Sequence, residues 1–262
     1  MRPGVDTIIV NYRTPDDLNR CLRAHEDFGV PESDTWVVNV SPEDADLKVD
    51  LFWTGNEHPR VHHIIHHANV GYAKAVNHAA SLGDREVIAI FNADTALTPD
   101  VMSSCLEALQ ANEDWGVLGP RQVDDAGRIT SAGIFGTHQA PAHRGWREAN
   151  SEKFGDVKEA ITVSGSAYFI KRPVWEMLTE CPVYKELHPE ALGAFLPTQH
   201  YYEETWCSYH TYAHSYKVMY FGPACMIHQW HKASRMGVAE QQMKPSQTMF
   251  RHACESHGIP HD

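Results

Sequence analysis

An apolar run of strand length, EVIAIF at residues 86–91, ends abruptly in the polar residues Asn92, Asp94 and Thr95. A strand buried on both faces of a parallel sheet is continuously apolar, and ligands of such sheets bind beyond the carboxyl ends of the strands. The run therefore delivers Asp94 to a crevice, where a carboxylate favours a bound cation. These residue types are also common in turns, so the alternative interpretation is that they only shape the chain after the strand.

The composition describes a folded, acidic protein. Its 262 residues are 42% hydrophobic, enough to bury a full core as one large α/β domain or two closely packed halves. The formal net charge of −12 argues against nucleic acid as a partner, because phosphate binding requires a basic footprint. An anionic substrate would therefore need a metal ion or a local group of basic side chains.

The cysteines and the apolar runs bear on the compartment. The six cysteines are scattered without a C-x-x-C pair, which favours free thiols in a reducing compartment over a zinc ribbon or a disulfide scaffold. No apolar run reaches the roughly 18 residues of a membrane span, and the N-terminus enters a strand pattern without a signal peptide. We therefore expect a cytoplasmic protein with no transmembrane segment.

The first hundred residues alternate between strand and helix patterns. Thr14-Pro15 predicts the start of a first helix, and the small residues near Ala75 suit a second helix packed closely on a sheet. Alternation of this kind predicts an α/β fold with a mostly parallel, right-handedly wound sheet flanked by helices. Residues 45–60 are polar and irregular. The predicted strands are 7–10, 36–40, 61–66 and the run that begins at 86, and a third helix follows Thr98-Pro99-Asp100 with a buried stripe of Val101, Cys105 and Leu109.

The second half breaks this rhythm. Gly165 lies inside a predicted strand and indicates a close approach of the backbone to another group. Residues 137–154 form a polar loop that is a candidate lid over a substrate. Further patterns predict strands at 115–119, 160–170 and 217–221, a hairpin turn at 124–127, helices at 173–178 and 201–215, and a helical tail at 238–257 that is interrupted by Pro245 and packs through Met249, Phe250 and Ala253.

Seven blocks, in this order and spacing, resemble family 2 glycosyltransferases of the GT-A fold, most closely the rhamnosyltransferase-like bacterial and phage members. The blocks are VNY near residue 10, VVNVS near 40, NVGYAKAVN at 69–77, FNADT at 91–95, VSGSAYFIKR at 163–172, YYEE at 201–204 and IHQWHKAS at 227–234. The resemblance implies one catalytic domain at residues 1–235, with a nucleotide-sugar half at 1–97 and a smaller mixed acceptor half at 98–235. Residues 236–262 would form a helical tail.

Such enzymes use a nucleotide-diphosphate sugar and a divalent cation, and they invert the anomeric carbon in a single displacement. The resemblance gives Asp94 the place of the second acid of a D-x-D motif, with Asn92 at the first. It gives His228 the place of the late histidine that completes the metal shell, with His231 as the alternative. The cation is Mn²⁺ or Mg²⁺, and an imidazole ligand suits Mn²⁺ somewhat better.

The resemblance also assigns contacts to the nucleotide sugar. The family usually carries Asp where this chain has Asn39, but an amide oxygen still accepts a hydrogen bond from a base, which favours UDP- or dTDP-sugars. Lys74 would meet a phosphate, unless it is a solvated surface lysine. The assigned positions are Asn11, Tyr12, Asn39, Asn69, Gly71, Lys74, Asn92, Gly165 and Ser166.

The acceptor hydroxyl needs a general base, and the resemblance aligns Glu203-Glu204 with the acidic pair that supplies it. The second acid of the pair is usually the base, so Glu204 is the first choice and Glu203 the alternative. Taken alone, two acids at the start of a helix are also explained by the helix dipole.

These observations predict a metal-dependent inverting glycosyltransferase that moves a sugar from a nucleotide-diphosphate sugar to an acceptor hydroxyl. The acceptor would be a glycan, a lipid-linked intermediate or a protein, and self-association into a homo-oligomer is left open. The alternatives are a nucleotide-sugar hydrolase and a catalytically silent module that binds a sugar nucleotide or glycan, because a fold does not determine function.

Overall fold

The structure is a computed structural model that describes residues 1–41, 60–138, 140–229 and 239–261. His231 and the polar stretch at 45–59 lie outside the described residues. No helix within the described ranges is long and apolar enough to cross a membrane.

The described chain alternates strands and helices through its first half and becomes richer in strands after that. The strands are β1 (Arg2–Asn11), β2 (Ser33–Asn39), β3 (Val61–Ile65), β4 (Arg85–Asn92), β5 (Thr95–Ala96), β6 (Trp115–Val123), β7 (Ile129–Ser131), β8 (Ile134–Thr137), β9 (Ala140–His143), β10 (Val157–Glu159), β11 (Ala167–Lys171) and β12 (Lys217–His228). The helices are α1 (Pro15–Phe28), α2 (Tyr72–Leu82), α3 (Val101–Ala111), α4 (Arg172–Thr179), α5 (Pro182–Leu187), α6 (Glu203–Ala213) and α7 (Ala239–Ser256), with a 3-10 turn at Glu152–Phe154.

One large sheet organises the fold. Its strand order is β10-β12-β6-β11-β4-β1-β2-β3, with β5 paired to β12 and β7 to β6. The block β4-β1-β2-β3 is entirely parallel, whereas β11 runs antiparallel to both β4 and β6. The predicted α/β fold with a mostly parallel sheet is therefore confirmed, and its second half is mixed.

Helices cover both faces of the sheet and bury two hydrophobic clusters. On β1, Ile8 belongs to the cluster under α2 and α4, and Ile9 belongs to the cluster under α1 and α3. Because neighbouring side chains of a strand point to opposite faces, a strand covered on both sides must be apolar throughout. This burial explains the apolar runs at residues 8–10 of β1 and 87–91 of β4.

Two helix starts differ in detail from their predictions. α1 begins at Pro15 as predicted, but the Thr14 hydroxyl donates to Asn11 Oδ1 at 3.1 Å instead of capping the helix. α3 begins at Val101, two residues later than Thr98-Pro99 indicated, because Asp100 takes the left-handed backbone conformation at φ +66°.

Three predictions for the second half are corrected. Gly165 lies in a turn before β11, where Ala167 N donates to Ser164 O at 3.3 Å, and not inside a strand. Residues 137–154 are not all loop, because β8 and β9 pair as a hairpin there. The tail helix α7 is not interrupted at Pro245, and its predicted residues Phe250 and Ala253 are buried.

Buried ion pairs lie at the end of the sheet where the central strands β1 and β4 begin. Arg172 Nη2 lies 2.7 Å from Asp6 Oδ2, and both side chains are almost fully buried. Arg172 also donates to the carbonyl oxygens of Arg85 and Ala80. The arginine thereby joins α4 to β1, β4 and the end of α2.

Replacing Arg172 with methionine is expected to lower the free energy of unfolding by about 3–5 kcal/mol, because Asp6 would keep a buried charge without its partner. Urea unfolding measures the loss. The control is Arg128→Met, which breaks an exposed pair with Asp124 and should cost no more than about 1 kcal/mol. Equal losses in the two variants would contradict the importance of the buried pair.

Candidate active site

A cleft of about 500 Å³ opens at the carboxyl ends of β1 and β4. Its walls come from the segment after β4, the start of α2, the turn before β11, the start of α6 and the end of β12. This is the crevice in which α/β sheets bind ligands. Of the residues predicted from the sequence, ten line it: Tyr12, Asn69, Gly71, Asn92, Asp94, Gly165, Ser166, Glu203, Glu204 and His228.

Strand pairing brings Asp94 and His228 together. β5 pairs antiparallel with the end of β12, so that His228 lies opposite Thr95. Gln229 N then donates to Asp94 O at 3.0 Å. The result places His228 Nε2 3.5 Å from Asp94 Oδ1, with both side chains about nine-tenths buried.

These two residues fit a divalent cation. A carboxylate oxygen and an imidazole nitrogen at this separation can share one ion, and this donor set suits Mn²⁺. His228 Nδ1 is buried and has no hydrogen-bond partner within the described part of the chain. The open side of the cleft leaves room for phosphate oxygens and water as further ligands.

The two glutamates at the start of α6 occupy different environments. Glu203 is buried, and its Oε2 accepts a hydrogen bond from Thr198 Oγ1 at 3.2 Å. Burial and the neighbouring Glu204 raise the pKa of Glu203 to about 8, so this carboxyl holds a proton at neutral pH. Burial also raises the pKa of Glu204, but three backbone amides, those of Glu204, Thr205 and Gly165, lower it, whereas Glu203 has one such amide and the Thr198 hydroxyl. Glu204 is therefore the member of the pair that is better able to ionise.

The backbone before α6 is strained. Tyr201 and Tyr202 both have positive φ, at +69° and +70°. Consecutive left-handed residues other than glycine are costly and occur mainly where a site demands them. Here they turn the chain so that Glu203 and Glu204 enter the cleft.

Glu203→Gln is expected to flatten the pH dependence of stability. The unfolded chain loses this proton near pH 4.5, whereas the folded protein keeps it up to about pH 8. The contribution of this proton to the free energy of unfolding is therefore largest below pH 4.5. It falls as the pH rises towards 8, by up to about 1.4 kcal/mol per pH unit, because the folded protein keeps a proton that the unfolded chain has lost. Urea unfolding at several pH values should show this slope in the native protein and lose it in the variant. The exposed-site control Glu186→Gln should keep the slope, and an unchanged slope in Glu203→Gln would contradict the buried proton.

The turn before β11 holds Glu204 in place. A Cβ on Gly165 would lie 3.2 Å from Glu204 Cγ, so the absence of a side chain permits this close approach. Gly165 O accepts from the Tyr72 hydroxyl at 2.9 Å. Ser166 Oγ donates to Gln122 Oε1 at 2.6 Å and contacts Ser164 Oγ, which fixes the rest of the turn.

The start of α2 forms the opposite wall. Gly71 has φ +86°, and a Cβ there would lie 2.8 Å from Gln199 O, so only glycine fits. Asn69 Oδ1 accepts from Gly71 N at 2.9 Å and from Gln199 Nε2 at 3.4 Å. Tyr72 is partly buried, and desolvation of its hydroxyl together with the nearby acids raises its pKa well above its usual range, so the hydroxyl stays protonated.

Three predicted nucleotide contacts lie outside the lining of the cleft. Asn11 Nδ2 donates to Asn39 Oδ1 at 3.2 Å, and Ser41 N donates to the same oxygen at 3.1 Å. The Asn39 oxygen, which was expected to read a base, thus already accepts two hydrogen bonds and ties the ends of β1 and β2 together. Lys74 is exposed on α2 and lines a second, smaller cavity with His66, His78 and Glu190.

Other residues of the cleft were not assigned from the sequence. Tyr72 stood within a matching block without a role, and Gln199 and His200 belong to a segment that carries no motif. Trp146 and His143 line the cleft from the segment 137–154, which was predicted as a lid. The prediction of residues 137–154 as a lid over a substrate was the sequence signal that pointed to Trp146 and His143.

The architecture is that of the GT-A glycosyltransferases. The structure is similar to that of S. aureus TarS residues 1–349, with a TM-score of 0.60 and 11% identity over 97% of this chain and 71% of that chain. It is also similar to GalNAc-T7 solved with UDP, GalNAc and Mn²⁺, with a TM-score of 0.65 and 12% identity. That match covers 98% of this chain and 55% of the GalNAc-T7 chain. At these identities the likeness establishes the fold.

The sequence defines the family. The model of glycosyl transferase family 2 matches residues 6–165, and the chain belongs to this family. No curated protein sequence matches the chain. The family indicated by the order of the sequence blocks is thus confirmed, and the protein is a glycosyltransferase.

Proposed function

We propose that the protein is a metal-dependent inverting glycosyltransferase that uses a nucleotide-diphosphate sugar. One observation carries the proposal: a paired carboxylate and imidazole, Asp94 and His228, share one cleft with the ionisable Glu204. The pair of Asp94 and His228 suits a cation that binds the donor diphosphate. Glu204 suits removal of a proton from an acceptor hydroxyl. The Mn²⁺ and UDP in the GalNAc-T7 structure support the same donor class.

In this proposal the residues of the cleft have separate roles. Asp94 and His228 would hold Mn²⁺ or Mg²⁺, and a cation bound there would supply positive charge next to the leaving diphosphate. Glu204 accepts the proton of the acceptor hydroxyl as that oxygen attacks the anomeric carbon. Tyr72 and Gly165 position Glu204, and the protonated Glu203 beside it keeps a second negative charge out of the site.

The donor and the acceptor approach from different sides. We place the nucleotide against residues 1–97, beside Tyr12 and Asn69, and the acceptor against residues 98–235. Trp146 lines the cleft on the acceptor side, where an aromatic ring can stack on a sugar. UDP in the GalNAc-T7 structure favours a uridine nucleotide, and the acceptor is a glycan, a lipid-linked sugar or a protein.

Release of nucleoside diphosphate tests this function. UDP-, dTDP- and GDP-sugars are incubated with the protein and Mn²⁺, with and without EDTA, and with a panel of glycan acceptors. Release that requires both acceptor and metal, with the anomeric configuration inverted in the product, is the expected result. Release that is indifferent to acceptor would indicate a hydrolase, and binding of a donor without any turnover would indicate a silent module.

A further inference from the structure

A cluster of metal-ligating side chains lies away from the cleft, where α5, α6 and α7 meet. Cys181 immediately precedes α5, His210 lies on α6, and His257 immediately follows α7. One ligand atom of each lies within 4.8 Å of the other two. Within the described ranges, no other group of three His, Cys, Asp or Glu side chains gathers as closely.

The contact between Cys181 and His257 has the length expected of neighbouring ligands around one ion, with Cys181 Sγ 3.7 Å from His257 Nε2. His210 Nε2 lies 3.3 Å from Nε2 of His214, one turn further along the chain, and this hydrogen bond leaves Nδ1 of His210 to face the ion. Zinc bonds of about 2.3 Å to sulfur and about 2.0–2.1 Å to nitrogen, arranged tetrahedrally, separate neighbouring ligands by roughly 3.3–3.6 Å. The three ligand atoms lie up to 4.8 Å apart, and a side-chain shift of about 1 Å would bring them to these zinc distances.

The tautomer of His257 suits a ligand. Its Nδ1 donates to the backbone carbonyl of Ala253 at 2.8 Å, which leaves the lone pair on Nε2, the nitrogen that faces Cys181. Histidines that bind metals usually donate their other ring N–H to a carbonyl or carboxylate in this way. The contact thus fixes the ring with its ligating nitrogen towards the cluster.

His210 has an unsatisfied nitrogen in the interior. The residue is 1% exposed, and its Nδ1 has no hydrogen-bond partner in the described part of the protein. A buried nitrogen without a partner is costly, and an ion bound at Nδ1 would satisfy it.

We propose that Cys181, His210 and His257 form a structural zinc site in which His210 binds through Nδ1 and water takes the fourth position. Thiolate sulfur with imidazole nitrogen is a donor set that selects zinc over Mg²⁺ or Mn²⁺. Binding displaces the thiol proton of Cys181 to solvent, so affinity rises with pH.

The site would fasten the C-terminal tail to the helix that carries the proposed base. α6 begins with Glu203 and Glu204 and carries His210 two turns later, and His257 follows the tail helix α7. The surrounding cluster is apolar, with Trp206, Phe250 and Ala253 all buried. One ion would therefore join three helices that also pack through this apolar cluster.

Metal content and spectroscopy of the full chain test the site. We expect about one zinc per chain after purification without chelators, measured by mass spectrometry of the metal. Removing the zinc should lower Tm by about 5–10 °C, and adding Zn²⁺ should restore it. Replacement by Co²⁺ should give a thiolate-to-cobalt charge-transfer band, which requires a sulfur ligand.

Variants assign the ion to this cluster. Cys181→Ser and His257→Ala should lose the zinc and the response of Tm to Zn²⁺, whereas Asp94→Asn, in the cleft, should keep both. Cys105→Ser is the matched control, because it places a hydroxyl at another fully buried cysteine far from the cluster. Zinc retained at equal stoichiometry in Cys181→Ser would overturn the proposal. So would a native protein that shows neither the charge-transfer band nor a Zn²⁺-dependent Tm, a result that stands even if the variants fail to fold.

Discussion

Replacing Glu204 with glutamine is expected to lower kcat by about 10²–10⁴-fold while donor affinity stays within about twofold of the native value. The amide keeps the size of the side chain and its contact with the turn at Gly165, but it cannot accept a proton. The rate is measured as nucleoside diphosphate released with the donor that turns over fastest, and affinity by calorimetry with UDP and Mn²⁺.

The companion variant Glu203→Gln separates the two acids. Glu203 already holds a proton at neutral pH because burial and Glu204 raise its pKa to about 8, so its amide variant should retain most of the activity. The raised pKa of Glu204 also predicts that native activity falls as the solution is acidified, when the base becomes protonated. A native rate of turnover in Glu204→Gln would contradict its role as the base. A larger loss of activity in Glu203→Gln than in Glu204→Gln would assign that role to Glu203 instead.

Asp94→Asn is expected to weaken donor binding in the presence of Mn²⁺ by roughly 100-fold and to abolish its sensitivity to EDTA. The amide preserves the shape of the carboxylate beside His228 but carries no charge for the cation. His228→Gln should cost less, about tenfold, because one charged ligand remains. Calorimetry with UDP, with and without Mn²⁺, measures both effects.

The control for charge alone is Asp16→Asn, an exposed acid on α1 that lies outside the cleft. It should leave binding and turnover unchanged, since exposed charges at a distance are screened by salt. Metal-dependent binding that survives in Asp94→Asn would mean that the cation is held elsewhere or not required.

The parallel half of the fold could be predicted because its elements are locally encoded. β1 and β4 are buried on both faces and therefore contain the apolar runs 8–10 and 87–91, and α1 carries Leu18, Cys21 and Leu22 on one buried face. The position of Asp94 at the end of such a run followed from the same logic. His228 could be placed only through the order of the family blocks, because its partner strand β5 has two residues and no pattern of its own.

Features that no local sequence pattern encodes could not be predicted. The hairpin β8–β9 lies in a polar segment without alternation, and Gly165 occupies a turn whose geometry depends on Tyr72 and Gln122 from distant parts of the chain. The grouping of Cys181 with two histidines from other helices is a product of packing, and its members are spread too widely to form a zinc motif. The pKa of Glu203 likewise depends on burial that no local pattern reveals.

The proposed mechanism depends most on a cation at the carboxyl end of β4. A crystal grown with Mn²⁺ and UDP, measured at the manganese absorption edge, would locate the ion directly. We predict an anomalous peak in contact with the Asp94 carboxylate, the His228 imidazole and the diphosphate of UDP. A peak elsewhere, or an Asp94 side chain turned away from both ion and diphosphate, would contradict the metal-dependent mechanism.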